Sequence, residues 1–125
     1  MHALKGSNVT SLDLSFNSIS NNGLEGICNQ GFGGEVLILA CNDIANPGLS
    51  SFAENLNKFP NLQKVDIRGN YFFSTSDLQE SFELLKDSPV TVVIDASCGI
   101  TIKLVNNMRA LGVKIDVDAK ITKEE

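Results

Sequence analysis

From Val9 to Phe72 the chain alternates short runs of period-two hydrophobicity with longer stretches of helical period. Leu12 and Leu14, Leu37 and Leu39, and Val65 and Ile67 are i, i+2 pairs, a spacing that puts both side chains on one face of a strand. Three positions after each pair stands an asparagine, Asn17, Asn42 and Asn70, and two positions later an apolar residue, Ile19, Ile44 and Phe72. The asparagines are separated by 25 residues (17 to 42) and 28 residues (42 to 70). A unit of this size cannot bury its apolar face alone, and only stacked neighbours complete the core. An asparagine in the tight turn after a strand satisfies backbone groups that no ladder reaches, so its expected role is structural.

The stretches between the strands read as helices. Asn46-Pro47 supplies an N-cap and a first-turn proline. Leu49, Phe52, Ala53 and Leu56 follow at i, i+3, i+4 and i+7, one apolar stripe. Ser76 to Gln79 has the capping-box form, with Phe82 and Leu85 on the face of Leu78. Leu24, Ile27 and Cys28 make a weaker stripe around Gly26, and Gly31 is the expected helix stop. Beyond Pro89 the repeat decays. Val90 to Ile94 and Val113 to Val117 read as strands, and between them Ile100 to Leu111 reads as a helix stopped by Gly112. The asparagine is missing there. With Val92 and Ile94 as the inward pair its place falls on Ser97 or, given a one-residue bulge, on Cys98, and the sequence leaves both open. Strand–helix alternation implies parallel strands. A small doubly wound α/β domain, a ligand-binding regulator or an enzyme, is the alternative, and strand order separates the two.

Residues 9 to 85 resemble the ribonuclease-inhibitor type of leucine-rich repeat, also found in NOD-like receptors and Ran GTPase-activating proteins. The pattern L-x-x-L-x-L-x-x-N-x-L is met at every marked position in 9–19 and 62–72, and at all but the first in 34–44, with other apolar residues standing for Leu. Asn17, Ile19 and Gly23 repeat as Asn42, Ile44 and Gly48, whereas Ser76 stands where the third glycine is expected. The resemblance implies an α/β leucine-rich repeat solenoid, a short right-handed horseshoe of about five parallel strands with helices on the convex side. It implies one domain over 1–125, with clear repeats in 9–88 and degenerate or capping repeats in 89–125. Ala3 to Asn8 resembles the end of a preceding repeat's helix, so a longer parent array is expected.

The function implied is a non-enzymatic scaffold for protein–protein interaction on the concave face. In such repeats the residues between and beside the Leu-x-Leu pair face that side. The candidate partner-binding residues are therefore Asp13, Ser15, Val36, Ile38, Lys64, Asp66, Arg68, Asp95 and Asp116, within a face that also holds Ser11, Ala40, Thr91, Val93, Lys114 and Asp118. The plainer reading is that the charges merely solvate a sheet. Tyr71 and Phe73 are candidate aromatic contacts, against a packing role under a loop, and Phe16 is expected to pack locally.

Composition narrows the partner. Ten basic against fifteen acidic residues give a net charge of −5, which argues against nucleic acid and anionic membrane. No stretch approaches the roughly 20 apolar residues of a membrane span, and the start lacks a signal peptide's apolar core. Cys28, Cys41 and Cys98 fit no zinc-ligand spacing and read as reduced thiols, so a cytoplasmic protein is expected. The one histidine is His2, which leaves Ser or Cys nucleophiles without the usual base. Gly31 to Gly34 precedes a strand, whereas a phosphate loop follows one and opens a helix. No catalytic, cofactor-binding or metal-ligating residue is expected. A third reading is a structural fragment that self-associates through exposed terminal repeats.

Overall fold

The computed structural model describes residues 10–72 and 75–118, and in 75–77 the backbone alone. Strands and helices alternate: β1 (Ser11–Asp13), α1 (Asn21–Gln30), β2 (Val36–Ile38), α2 (Asn46–Glu54), β3 (Lys64–Asp66), α3 (Thr75–Glu83), β4 (Thr91–Ile94), α4 (Ile102–Ala110) and β5 (Lys114–Val117). Short 3-10 turns over Leu56–Lys58 and Ala96–Cys98 complete the second and fourth connections. The strands form one parallel sheet in the order β1-β2-β3-β4-β5. A doubly wound sheet would reverse its order at a switch point. The sequential order therefore makes this an α/β solenoid.

One side of the sheet carries the core. Leu37, Leu39, Val65, Ile67, Val92 and Ile94 are fully buried, together with Leu24 and Cys28 of α1, Leu49 and Phe52 of α2, Leu78 and Phe82 of α3, and Leu104 and Met108 of α4. The helices pack on one another in chain order, α1 on α2, α2 on α3 and α3 on α4. Packed helices need about 8–10 Å each, whereas neighbouring strands need only about 4.8 Å. That mismatch favours bending of the stack towards its open sheet face, which no described helix covers.

The helix boundaries follow from capping, in part differently from expectation. Gly31 (φ 77°) ends α1, its N–H donating to the Ile27 carbonyl. Thr101 caps α4 by accepting from the Leu104 N–H at 3.1 Å. Asn46, however, is not an N-cap: α2 begins at Asn46 and its N-cap position is Ala45, which has no capping side chain of its own. The cap comes from the preceding helix, where Asn21 Oδ1 accepts the N–H groups of Ala45 and Gly48, each at 2.9 Å. This explains the glycine at 48, since a Cβ there would lie 2.4 Å from Asn21 Oδ1. Likewise α3 starts at Thr75, so Ser76 lies inside its first turn instead of capping it, as the capping-box reading required. Val9, the first residue of the pattern, lies outside the described residues.

Candidate protein-binding face

Behind the face, the asparagines tie the strand ends together. Asn42 Nδ2 donates to the carbonyls of Leu14 and Leu39 at 3.0 and 3.1 Å, and its Oδ1 accepts from Asn17 and Ile19 N–H at 3.0 and 2.8 Å. Asn70 repeats this one unit on, donating to Leu39 and Ile67 carbonyls and accepting from Asn42 and Ile44 N–H. Cys98, not Ser97, takes the next rung. It is fully buried, its thiol 3.5 Å from the Ile67 carbonyl. The 3-10 turn over Ala96–Cys98 supplies the extra residue, and left-handed Gly99 (φ 74°) closes it. In the three earlier turns a left-handed residue precedes the asparagine, Phe16 (φ 60°), Cys41 (φ 56°) and Gly69 (φ 75°), and in the first turn Ser18 (φ 55°) follows it as well.

The ladder fixes the register of the exposed side chains. Ser11, Val36, Lys64, Thr91 and Lys114 are paired across the sheet in one row. Asp13, Ile38, Asp66, Val93 and Asp116 form the next. Two positions further along each strand stand Ser15, Ala40, Arg68, Asp95 and Asp118. The structure thus brings all nine sequence-proposed face residues onto one surface. They are not equally available on it. Asp13, Lys64 and Asp116 are exposed, and Val36, Ile38 and Ser15 are half-buried.

Asp66 retains 5% exposure. Its carboxylate receives Arg68 Nε at 2.9 Å and an Arg68 terminal nitrogen at 2.7 Å, while the other terminal nitrogen reaches Asp118 Oδ2 at 2.7 Å. Arg68 thus reaches from the β3 column to the β5 column, past β4, and Val93 on β4 keeps only 7% exposure. Asp95 turns back into its own loop, where Oδ1 accepts from the Ser97 N–H at 3.1 Å and the Ser97 hydroxyl, and it also accepts the Gly69 N–H of the neighbouring turn. Partial burial disfavours its charge, but the hydrogen bonds from Ser97, Gly69 and Cys98 outweigh that and hold Asp95 below the usual carboxylate range. The Ser15 hydroxyl and N–H similarly hold Asp13 below that range.

Two aromatics stand at the end of the sheet where the strands finish. Tyr71 is 49% exposed, its ring lying against Gly99, where an added Cβ would come within 2.5 Å of the ring. Phe73 lies outside the described residues. Phe16 does not pack locally, as expected, but is 78% exposed. Its left-handed backbone swings the ring away from the core, a feature no hydrophobic pattern signals. Asn21, the inter-helix cap, was equally unsignalled, because its acceptor role depends on a helix one repeat away.

Burial pushes the Cys28 thiol up to about 11, with Glu25 adding to it, and burial does the same for Cys98. Cys41 is exposed. Among the described residues no group of three or more His, Cys, Asp or Glu side chains could hold a metal ion. No described helix is long and apolar enough to cross a membrane. A family model described as a leucine-rich repeat matches residues 7–28 and 35–53, the first unit and most of the second. None of the curated proteins compared matches the chain.

Proposed function

We propose that this chain, a leucine-rich repeat protein, is a non-enzymatic scaffold that binds another protein across the open face of its sheet. Domains of this family generally mediate protein–protein interaction. The observation that carries the reading is the half-exposed apolar column of Val36 and Ile38, flanked by exposed Asp13 on one side and exposed Lys64 on the other. An apolar strip rimmed by charge is what a binding surface needs, the strip for desolvation and the rim for orientation. Val36, Ile38, Lys64, Asp13, Ser15 and Asp116 are the contact residues in this reading. Asp66, Arg68 and Asp95 shape the face through their internal pairs. The whole of 1–125 acts as one repeat domain, and the buried, protonated thiols Cys28 and Cys98 suit the reducing cytoplasm.

The test is affinity capture from lysate with three baits matched for folding by circular dichroism. These are the wild type, an open-face variant (Ile38→Lys with Lys64→Glu) and a helix-side variant (Glu25→Lys with Lys103→Glu). A protein retained by the wild type and the helix-side variant but lost by the open-face variant is the expected result. Retention by all three would remove the open face as the binding surface.

A further inference from the structure

The end of the sheet where the strands finish is acidic, whereas the end where they start mixes both signs, with Glu35 and Asp87 beside its lysines. Asp13, Asp66, Asp95, Asp116 and Asp118 stand at or just past the ends of their strands, and Asp43 lies in the turn after β2. Arg68, the cation among them, already holds Asp66 and Asp118. Lys64 and Lys114 stand at the opposite end, as the first residues of β3 and β5, and Lys103 lies in the first turn of α4 on the helical side.

The acidic end is also where apolar surface lies open. Phe16, 78% exposed, is set beside Cys41 by its N–H bond to the Ala40 carbonyl, and Cys41 beside Gly69 by its N–H bond to the Arg68 carbonyl. The Cys41 sulfur lies over Gly69, within 2.6 Å of where a Cβ would be. A low shelf of Cys41 and Gly69 therefore runs from Phe16 towards Tyr71. Beside it opens a cavity of about 390 Å³ lined by Asn42, Asp43, Ile44, Ala45, Gly69 and Tyr71.

We propose that this edge docks a basic, arginine-bearing segment of a protein partner. Exposed aromatic faces next to carboxylates select a planar cation, because a guanidinium can stack on a ring and hydrogen-bond to an acid at once. Tyr71 and Asp43 offer both at the cavity, and Phe16 offers a second ring at the far side of the shelf. Asp116, exposed and on the same face, extends the acidic track beyond Arg68. Nucleic acid and anionic lipid are repelled by the same carboxylates. The proposal deepens the open-face reading and rests on it for the nature of the partner, but apart from Asp116 it concerns a different set of side chains.

The experiment is fluorescence anisotropy with labelled hexa-arginine, hexa-lysine and hexa-glutamate peptides against the intact chain, at low and physiological salt. Phe16→Asn suits the left-handed backbone, so its fold is expected to survive. It is tested alone and with Tyr71→Ser, beside Asp43→Asn with Asp116→Asn. A charge control, Glu54→Gln with Glu83→Gln, removes two carboxylates from the helical side. Hexa-arginine is expected to bind more tightly than hexa-lysine, and the aromatic and aspartate variants to weaken it about tenfold, with the charge control unchanged. Equal binding of the two basic peptides, or equal weakening by the charge control, would show only general attraction to an acidic chain and overturn the proposal. No binding of hexa-arginine would also overturn it. If the capture experiment still localises a partner to Ile38 and Lys64, the open-face reading stands without this one.

Discussion

Asn42 and Asn70 each satisfy donors and acceptors from two successive repeats, and each is shut off from water, 8% and 0% exposed. Asn17 is exposed, and its amide donates to Ser15 in its own turn. The same residue type in the same motif should therefore differ in worth. Asn70→Ala strands buried N–H groups of Asn42 and Ile44 and is expected to cost about 3 kcal/mol or more. Asn17→Ala is expected to cost about 0.5 kcal/mol, and urea unfolding of the two variants distinguishes them. The structural role of these asparagines was legible from spacing alone. Whether Ser97 or Cys98 continues the ladder was not, because the answer depends on one extra residue being absorbed by a 3-10 turn that leaves no hydrophobic signature. The buried thiols add a pH dependence. Their folded pKa of about 11 stands above the 9.0 of an unperturbed thiol, so the native state holds these protons more tightly. Their contribution to stability is then full below pH 9 and is lost as pH rises towards 11. Unfolding free energy measured across that window should fall more steeply for the wild type than for a Cys28→Ala, Cys98→Ala double variant.

Between helices, the Asn21–Gly48 contact converts a repeat-internal glycine into an inter-repeat joint. Asn21→Ala uncaps α2 and is expected to cost about 1–2 kcal/mol. Gly48→Ala drives a methyl into Asn21 Oδ1 and approaches the Asn21 backbone at 3.3 Å. It should destabilise the wild type, but less so once Asn21 is alanine, and a double-mutant cycle reads that coupling as a non-zero interaction energy. Gly26 makes the contrast. It lies inside α1 with nothing within 4 Å of an added Cβ, so Gly26→Ala should raise stability by about 0.5–1 kcal/mol. Sequence periodicity located the four helices of the described residues and the recurrent Gly23 and Gly48, while the helix end expected at Ala3 to Asn8 lies outside them. It assigned the cap to Asn46, because capping rules are local and the capping oxygen here comes from 24 residues earlier.

The whole molecule is a row of units in which each strand meets only its neighbours, so stability is expected to vary along it as in a one-dimensional array. The first and last described strands are not secured alike. Leu12 and Leu14 of the first unit, with Ile19, are only partly buried against the core. β5 is tied down twice more, by Arg109 donating to the Ile115 carbonyl at 2.8 Å and by Arg68 reaching Asp118 from the third unit. Opening should therefore begin at β1. Native-state hydrogen exchange should show the Leu14 N–H, bonded to Ile38, exchanging well before the Leu39 and Ile67 N–H groups bonded to Asp66 and Val93. Arg68→Met should speed exchange at the Asp118 N–H, which bonds Ile94, without altering Leu14. The Arg68–Asp118 pair itself is half-exposed and weak. Leaving Asp66, 5% exposed, without its bidentate partner adds a larger cost on β3, so the Leu39 N–H, which bonds Asp66, should also exchange faster in this variant. If instead all these amides exchange at one rate, and Arg68→Met accelerates them together, the chain opens as a single cooperative block and the nearest-neighbour account fails.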